Sequence, residues 1–224
     1  MTPDASQLPA TIDPGEAMLL LTDCQPGLSL AAGSRPHQDL VGNVTALVRT
    51  AAVFGVPVVA TTSATERFGG HLWPAIAGLL TAPPLERTIF NAYHDEHVRA
   101  AIEQAGRPVI LIAGLLTEAC VGLTALSLRA AGHDVRIVAD CCAGLTAETH
   151  QLALNRAAAA GTGVTSWIQL LLEWQQDWTH SATYVGATGV LTSLGGSYGL
   201  ALLHAWDMLA SPAATGQQTV KTAR

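Results

Sequence analysis

Three residue types that support nucleophilic catalysis lie in or directly after apolar segments of the chain. Asp23 ends the segment AMLLLTD, Arg87 lies in LERTIF, and Cys120 follows RPVILIAG through the turn LLTEA. A thiol can act as a nucleophile, a carboxylate beside it can accept the thiol proton and activate water, and a guanidinium can stabilise negative charge. Together the three residue types point to a hydrolase with a covalent intermediate.

Cys120 is predicted near the first turn of a helix. Unpaired N–H groups and the helix dipole favour a thiolate there, so we expect a lowered thiol pKa. Taken singly, each candidate also has a structural explanation: a buried thiol fills space, an aspartate caps a strand end, and an arginine forms an ion pair. The combination of all three favours catalysis.

The elements that must position these residues follow from alternating apolar segments and segments of helical period. Strands are predicted at 17–23, 56–63, 85–90, 107–114, 133–140 and 163–166, and helices at 37–54, 94–106, 117–131, 148–160 and 166–178. This order predicts the α/β class, with three α/β/α layers around a mostly parallel, doubly wound sheet. Because ligands bind beyond the carboxyl ends of such strands, the three candidates fall where a site is expected.

The amino-acid composition is that of a folded protein with a large apolar surface. Of 224 residues, 49% are hydrophobic and only 12% are charged, which excludes a disordered chain. So little charge leaves much apolar surface to cover, and we therefore expect a homo-oligomer, a tetramer or an octamer. We expect one hydrolase domain over residues 1–180, an apolar extension over 181–210 packed on the body or on a neighbouring subunit, and a flexible tail over 211–224.

The net charge and the distribution of basic and apolar residues exclude some classes of binding partner. The formal net charge is −6, and the chain lacks a basic run, so nucleic acid is not an expected partner. The sequence has no uninterrupted stretch of about 18 apolar residues, so no membrane span is expected. No basic segment precedes the first apolar stretch, which argues against a secretory signal and for the cytoplasm. The expected partner is a small-molecule substrate.

Around the candidate residues the chain resembles the isochorismatase-like cysteine hydrolases, and within them the YcaC-related subgroup. The resemblance extends over about residues 17–178. It is carried by LLLTDCQPGLSL around Asp23, ERTIFNAYHDEHV around Arg87, ILIAGLLTEACVGLTALSLRAAGHDVRIVADCCAGLT around Cys120, and LLLEWQQDW. The segment AGLLTEACV, with its Gly-x-x-Thr-x-x-Cys-Val pattern, is the most specific.

The resemblance implies a three-layer α/β fold and a catalytic triad of Asp23, Arg87 and Cys120. The family's cation is commonly lysine, but the sole lysine here, Lys221, lies in the C-terminal tail. A guanidinium supports charge without shuttling protons, which leaves the aspartate as the general base. The resemblance also implies a cis peptide bond between Leu115 and Leu116, and an oxyanion hole formed by the N–H groups of Leu116 and Cys120.

Five further residues are candidates for contacting the substrate. They are Gln25, Thr62, Asn91, Tyr93 and Thr117. Asn91 and Tyr93 match the subgroup's Asn-Ala-aromatic stretch, although helix capping explains Asn91 nearly as well. Strand propensity and turn formation are the alternative explanation for Thr62.

No cofactor and no catalytic metal are expected. Nicotinamidase-like relatives bind zinc through an aspartate and two histidines after the second strand. The corresponding segment here, TTSATERFGGHLWP, contains one histidine, His71, and no aspartate. A single ligand cannot build a zinc site, and this departure also argues against nicotinamide as the substrate.

The sequence therefore predicts a cysteine-dependent hydrolase that acts on a small amide, carbamoyl compound or ester. Two other classes remain open. One is a non-catalytic or redox-sensing thiol protein that keeps the hydrolase fold, an alternative that the arginine at position 87 sustains. The other is a nucleotide-binding module, for which the sequence offers no phosphate-binding loop.

Overall fold

A six-stranded parallel sheet forms the centre of the molecule, which a computed structural model describes for residues 11–210. The strands stand in the order β3-β2-β1-β4-β5-β6. They are β1 (Ala17–Thr22), β2 (Val58–Ser63), β3 (Leu85–Arg87), β4 (Val109–Leu115), β5 (Asp134–Ala143) and β6 (Gly163–Thr165). All pairings are parallel, so the sheet is wholly rather than mostly parallel.

Helices cover both faces of this sheet, which confirms the predicted three-layer α/β/α architecture. The helices are α1 (Pro26–Ala31), α2 (His37–Val53), α3 (Pro74–Ala77), α4 (Glu96–Ala105), α5 (Gly122–Ala130), α6 (Ala147–Ala159), α7 (Trp167–Gln175), α8 (Ser181–Leu194) and α9 (Gly196–Ala210). Helices α2 and α7 contact each other and β5, whereas α5 and α6 contact each other and the same strand.

The core lies along β1 and β4, the two central strands. Every residue of both strands is buried. Their continuous apolar sequences, rather than alternating ones, are what a parallel sheet covered on both faces requires. The segment RPVILIAG, which contains most of β4, is the most apolar of the predicted strands, and it lies at the centre of the sheet.

Strand β5 is longer than predicted. Pairing with β4 continues past an irregularity between Ile112 and Gly114 and extends to Ala143. Cys141 and Cys142 consequently lie inside a strand, fully buried, rather than after it.

The C-terminal segment forms two helices. Helix α8 packs against α2, and α9 packs against α8. Among residues 11–210, no helix is long and apolar enough to cross a membrane. The tail predicted for residues 211–224 lies outside the described residues.

Candidate active site

The carboxyl ends of β1 and β4 form a crevice where the chain connectivity reverses direction across the sheet. Strand β1 is followed on one side by β2 and β3 and on the other by β4, and ligands of doubly wound folds bind at such a switch point. Asp23 directly follows β1 and Cys120 lies in the turn after β4. The sheet topology thus brings two residues that lie far apart in sequence to one edge.

The backbone at Asp23 turns sharply out of the strand. Its φ is +51°, a left-handed value that aspartate tolerates better than most residues. Its N–H donates to the carbonyl of Thr61 on β2 at 3.1 Å. The neighbouring strand therefore holds the aspartate at its main chain.

Arg87 and Asp23 form a fully buried ion pair. Nη2 of Arg87 donates to Oδ2 of Asp23, Nη1 donates to the carbonyl of Ile89, and both side chains have no exposed surface. The hydroxyl of Thr61 donates to the other carboxylate oxygen, Oδ1, at 2.8 Å. Two buried charges thus neutralise each other, and both oxygens of the carboxylate are held.

The thiol of Cys120 completes the group. The residue is 5% exposed, and its thiol interacts with both Asp23 and Arg87. Burial and the Asp23 charge raise the pKa of Cys120 to about 11, while Arg87 opposes the shift. The expected lowering of the Cys120 pKa is therefore wrong, because desolvation of the thiolate outweighs the attraction of the cation.

The turn that carries Cys120 is a single π-helical turn, Thr117–Val121, ahead of α5. A cis peptide bond joins Leu115 to Leu116, at the position that the family resemblance implies. The carbonyl of Leu116 accepts hydrogen bonds from Ala119 (3.0 Å) and Val121 (3.2 Å). The main chain thus wraps closely around Leu116 and Cys120, whose N–H groups were predicted as the oxyanion hole.

Glu118 fixes this turn from outside. Its Oε1 accepts from the N–H of Leu145 at 2.8 Å and from the hydroxyl of Thr149 at 3.0 Å. The carboxylate thereby ties the turn to the segment between β5 and α6.

Gln25 and Thr62, two predicted substrate contacts, have protein partners. The Gln25 amide accepts from the N–H of Ser63 at 2.8 Å and donates to the carbonyls of Ser63 and Gly70. It is fully buried and joins the segment after β1 to the end of β2. The hydroxyl of Thr62 donates to Glu86 at 2.7 Å.

The other three predicted contacts also have partners elsewhere. Asn91 caps its own turn and donates to Ser127 at 2.7 Å. The ring of Tyr93 packs edge-on against His133, which precedes β5. Thr117 is fully buried, with its hydroxyl 2.7 Å from Nδ1 of His150. Thr117 shares the turn Thr117–Val121 with Cys120, and a role in substrate contact stays a prediction for all three side chains.

The sequence did not identify Thr61 as the hydrogen-bond partner of Asp23, or His150 as the partner of Thr117. Thr61 and Thr62 both lie near the end of a predicted strand, but they point to opposite sides of it, so which of them faces Asp23 depends on the strand register. His150 lies on α6 and faces Thr117 across a gap of 33 residues in sequence. Burial lowers its pKa, with nearby Arg35 acting in the same direction and Glu118 opposing.

A cavity of about 580 Å³ opens beside the carboxyl ends of β2 and β3. Its walls include Thr62 and Ser63 from β2, Thr88 directly after Arg87, and the aromatic side chains of Phe68 and Phe90. Its volume is in the range of small-molecule sites. Within the stretch 11–210, no group of three or more His, Cys, Asp or Glu side chains is arranged to hold a metal ion.

Comparisons with known proteins agree with this fold and with the motifs. Residues 17–169, more than half of the chain, match the family model of the isochorismatase domain. A relative from Escherichia coli K12, described as probable hydrolase YcaC, is 33% identical over 170 residues, 75% of this chain and 81% of the relative. The chain therefore belongs to the isochorismatase family of hydrolases.

Two solved structures share the architecture. The YcaC gene product of Escherichia coli, described as an octameric hydrolase of unknown specificity, has a TM-score of 0.85 and 29% identity, covering 91% of this chain and 99% of its own. YcaC from Pseudomonas aeruginosa, solved with hexane-2,5-diol and covalent acrylamide, has a TM-score of 0.84 and 27% identity, covering 89% and 98%.

Proposed function

We propose that the protein is a cysteine-dependent hydrolase that cleaves a small amide, carbamoyl compound or ester through a thioester-type intermediate on Cys120. The observation that carries this proposal is the buried grouping of the Cys120 thiol with the Asp23 carboxylate and the Arg87 guanidinium. A carboxylate and a cation are costly to bury. Their presence around a single thiol is what nucleophilic catalysis needs.

The first half of the reaction forms the acyl-enzyme. Because the pKa of Cys120 is raised to about 11, the thiol is protonated at neutral pH and Asp23 takes its proton as the sulfur attacks. The S–C bond forms, and the carbonyl oxygen becomes an oxyanion that the N–H groups of Leu116 and Cys120 stabilise. The C–N or C–O bond then breaks, and the leaving group takes the proton from Asp23.

The second half releases the acyl group. Water attacks the thioester carbonyl and gives its proton to Asp23, the C–S bond breaks, and the proton returns to the sulfur of Cys120. Arg87 keeps its proton throughout and balances the negative charge that moves between the carboxylate and the sulfur. This role suits a guanidinium as well as it suits the lysine common in the family.

The cavity lined by Ser63 and Thr88 is our candidate for the entrance to the substrate pocket; it adjoins Arg87 through Thr88, and the triad side chains do not line it. The covalent acrylamide of the Pseudomonas aeruginosa relative supports a reactive nucleophile in that protein, since acrylamide bonds to nucleophiles through addition to its C=C bond with the amide left intact. The five predicted side-chain contacts remain predictions, as does a cytoplasmic location.

We also propose that the protein is a homo-oligomer of four or eight chains. The low charged fraction, 12%, supports this assembly, as does the octameric state described for the Escherichia coli relative. Large apolar side chains on α9, including Leu200 and Leu209, are exposed on the single chain.

The alternative, a non-catalytic or redox-sensing thiol protein, fits the site less well. Oxidation-sensitive thiols are accessible and ionise readily. Cys120 is 5% exposed, and burial raises its pKa.

The test is intact mass spectrometry after mixing with p-nitrophenyl acetate, followed by a library of small amides and esters assayed for product release. We expect an acetyl adduct and turnover that Cys120→Ala abolishes and that Cys142→Ala, a buried thiol on β5, retains. Peroxide oxidation of Cys120 without turnover of any library member would favour the redox-sensing alternative.

A further inference from the structure

We infer that Thr61 is a positioning residue that holds the Asp23 carboxylate in the orientation from which it accepts protons. This inference rests on the proposed function, since it assigns Thr61 a part in that same reaction. Thr61 holds its neighbour twice: its carbonyl accepts from the Asp23 N–H at 3.1 Å, and its hydroxyl donates to Oδ1 at 2.8 Å.

The strand register makes this contact specific to Thr61. On β1 and β2, Thr22 pairs with Thr61, so the residue after Thr22 emerges directly beside the Thr61 side chain. The next residue on β2, Thr62, directs its hydroxyl to Glu86 instead. A β-branched side chain such as threonine has few χ1 rotamers in a strand, so the hydroxyl is held in place.

Without this hydroxyl the carboxylate would lose the donor that holds Oδ1. Rotation of an aspartate about its terminal bond is soft, and Arg87 holds only Oδ2. Thr61 and Asp23 both have no exposed surface, so bulk water cannot readily replace a lost donor, and a buried acceptor without a donor is costly. Arg87 and Thr61 therefore fix the plane of the carboxylate together.

The two halves of the reaction depend differently on that orientation. With p-nitrophenyl acetate the leaving p-nitrophenolate needs no proton, so acylation of Cys120 requires Asp23 only to receive the thiol proton. Asp23 then releases this proton to solvent before it acts as the base of deacylation. Deacylation requires the carboxylate to take a proton from a water placed at the thioester, which is the more demanding geometry. Loss of the Thr61 hydroxyl should therefore slow deacylation most.

The experiment uses the full chain and three variants with p-nitrophenyl acetate as the probe. Thr61→Val keeps the shape and removes the hydroxyl, and Thr61→Ser keeps the hydroxyl. Thr22→Val is the matched control, because Thr22 is equally buried on the paired strand and its hydroxyl donates to the carbonyl of Ala113 at 3.1 Å. The burst of p-nitrophenolate reports acylation, and the later steady rate reports deacylation across pH 5 to 9.

We expect Thr61→Val to keep a full burst while its steady rate falls by about tenfold to a hundredfold. A variant that had only lost folded protein would instead lose burst and steady rate in the same proportion. Thr61→Ser should recover the rate to within about threefold, and Thr22→Val should match the wild type.

Two outcomes would count against the inference, and they are distinguishable. A Thr61→Val variant with a wild-type burst and a wild-type steady rate would overturn the positioning role alone and leave the proposed function intact. A wild type that forms no acetyl adduct on Cys120 and shows no turnover that depends on Cys120 would overturn the proposed function and the positioning role together.

Discussion

The Arg87 guanidinium and the Asp23 carboxylate form an ion pair with no exposed surface at the ends of two strands. Strand β2 separates β1, which ends before Asp23, from β3, which ends at Arg87. The pair thus spans the end of β2, and both of its charges act on the Cys120 thiol. Each charge is tolerated in the interior because the other is present.

Arg87→Met should lower the free energy of unfolding by about 3 to 5 kcal/mol, because it leaves the Asp23 carboxylate buried and unpaired. Urea unfolding at neutral pH measures this loss. The double variant Asp23→Asn with Arg87→Met should recover much of it, since no unpaired charge remains. Equal urea midpoints for Arg87→Met and the wild type would show that the pair contributes nothing to stability.

Asp23→Asn should make Cys120 more reactive toward iodoacetamide at pH 7 while it abolishes hydrolysis. In the wild type, burial and then the Asp23 charge raise the pKa of Cys120 to about 11, and Arg87 alone lowers it. Removing the carboxylate charge leaves the cation, so the thiol pKa falls and more thiolate is present at pH 7. Hydrolysis is lost because the general base is gone.

The measurement is the rate of Cys120 alkylation against pH, followed by peptide mass spectrometry. The wild-type rate should rise by about tenfold per pH unit toward pH 11, and the variant should reach its plateau at lower pH. Asp140→Asn is the control, because Asp140 acts on Cys141 and Cys142 and should leave the Cys120 rate unchanged. A variant plateau at the wild-type pH or above it would contradict this explanation.

The sequence was sufficient to predict most of the fold because a parallel sheet leaves a strong signal. The segments that became β1 and β4 are continuously apolar, and their ends are marked by Asp23 and by the turn before Cys120. Residues that follow the strands of such a sheet meet at one edge. The three-layer fold and the expected position of the candidate site followed from these two signals.

The side-chain contacts and the pKa shift within the site could not be predicted, because they depend on strand register and on burial. Whether Thr61 or Thr62 faces Asp23 changes with a slip of one residue, and nothing local in TTS distinguishes them. The direction of the Cys120 pKa shift depends on how deeply the thiol is covered, which is set by the packing of distant segments. Gln25 offered a polar side chain next to Asp23, yet only the structure shows that the main chain of β2 occupies its amide.

Gly114→Ala should lower the free energy of unfolding by about 3 kcal/mol or more, because Gly114 combines a left-handed backbone conformation with a close approach of two strands. Its φ is +119°, and an added Cβ would lie 1.8 Å from the carbonyl oxygen of Thr22. Since β4 leads directly from Gly114 into Leu115 and the Cys120 turn, activity should fall as well.

Gly189→Ala provides the matched control for this change. Gly189 lies within α8, and an added Cβ would meet nothing within 4 Å. Alanine in a helix interior is favoured over glycine by about 0.5 to 1 kcal/mol, so this variant should be as stable as the wild type or slightly more stable. Thermal unfolding of both variants tests the pair, and an equal loss in the two would reject the proposed strand clash.

Leu200→Glu combined with Leu209→Glu should reduce the number of chains in the assembly. These side chains are 68% and 77% exposed on α9, a helix that packs on the body through α8. Isolated exposed leucines are common, but several on one helix form an apolar patch of the kind that interfaces cover, so we expect α9 to contact a second copy of the chain. Native mass spectrometry should show four or eight chains for the wild type and fewer for the double variant. Gln104→Glu, which adds a charge at an exposed position of α4, should keep the wild-type mass, and an unchanged mass for the α9 variant would assign the interface to another surface.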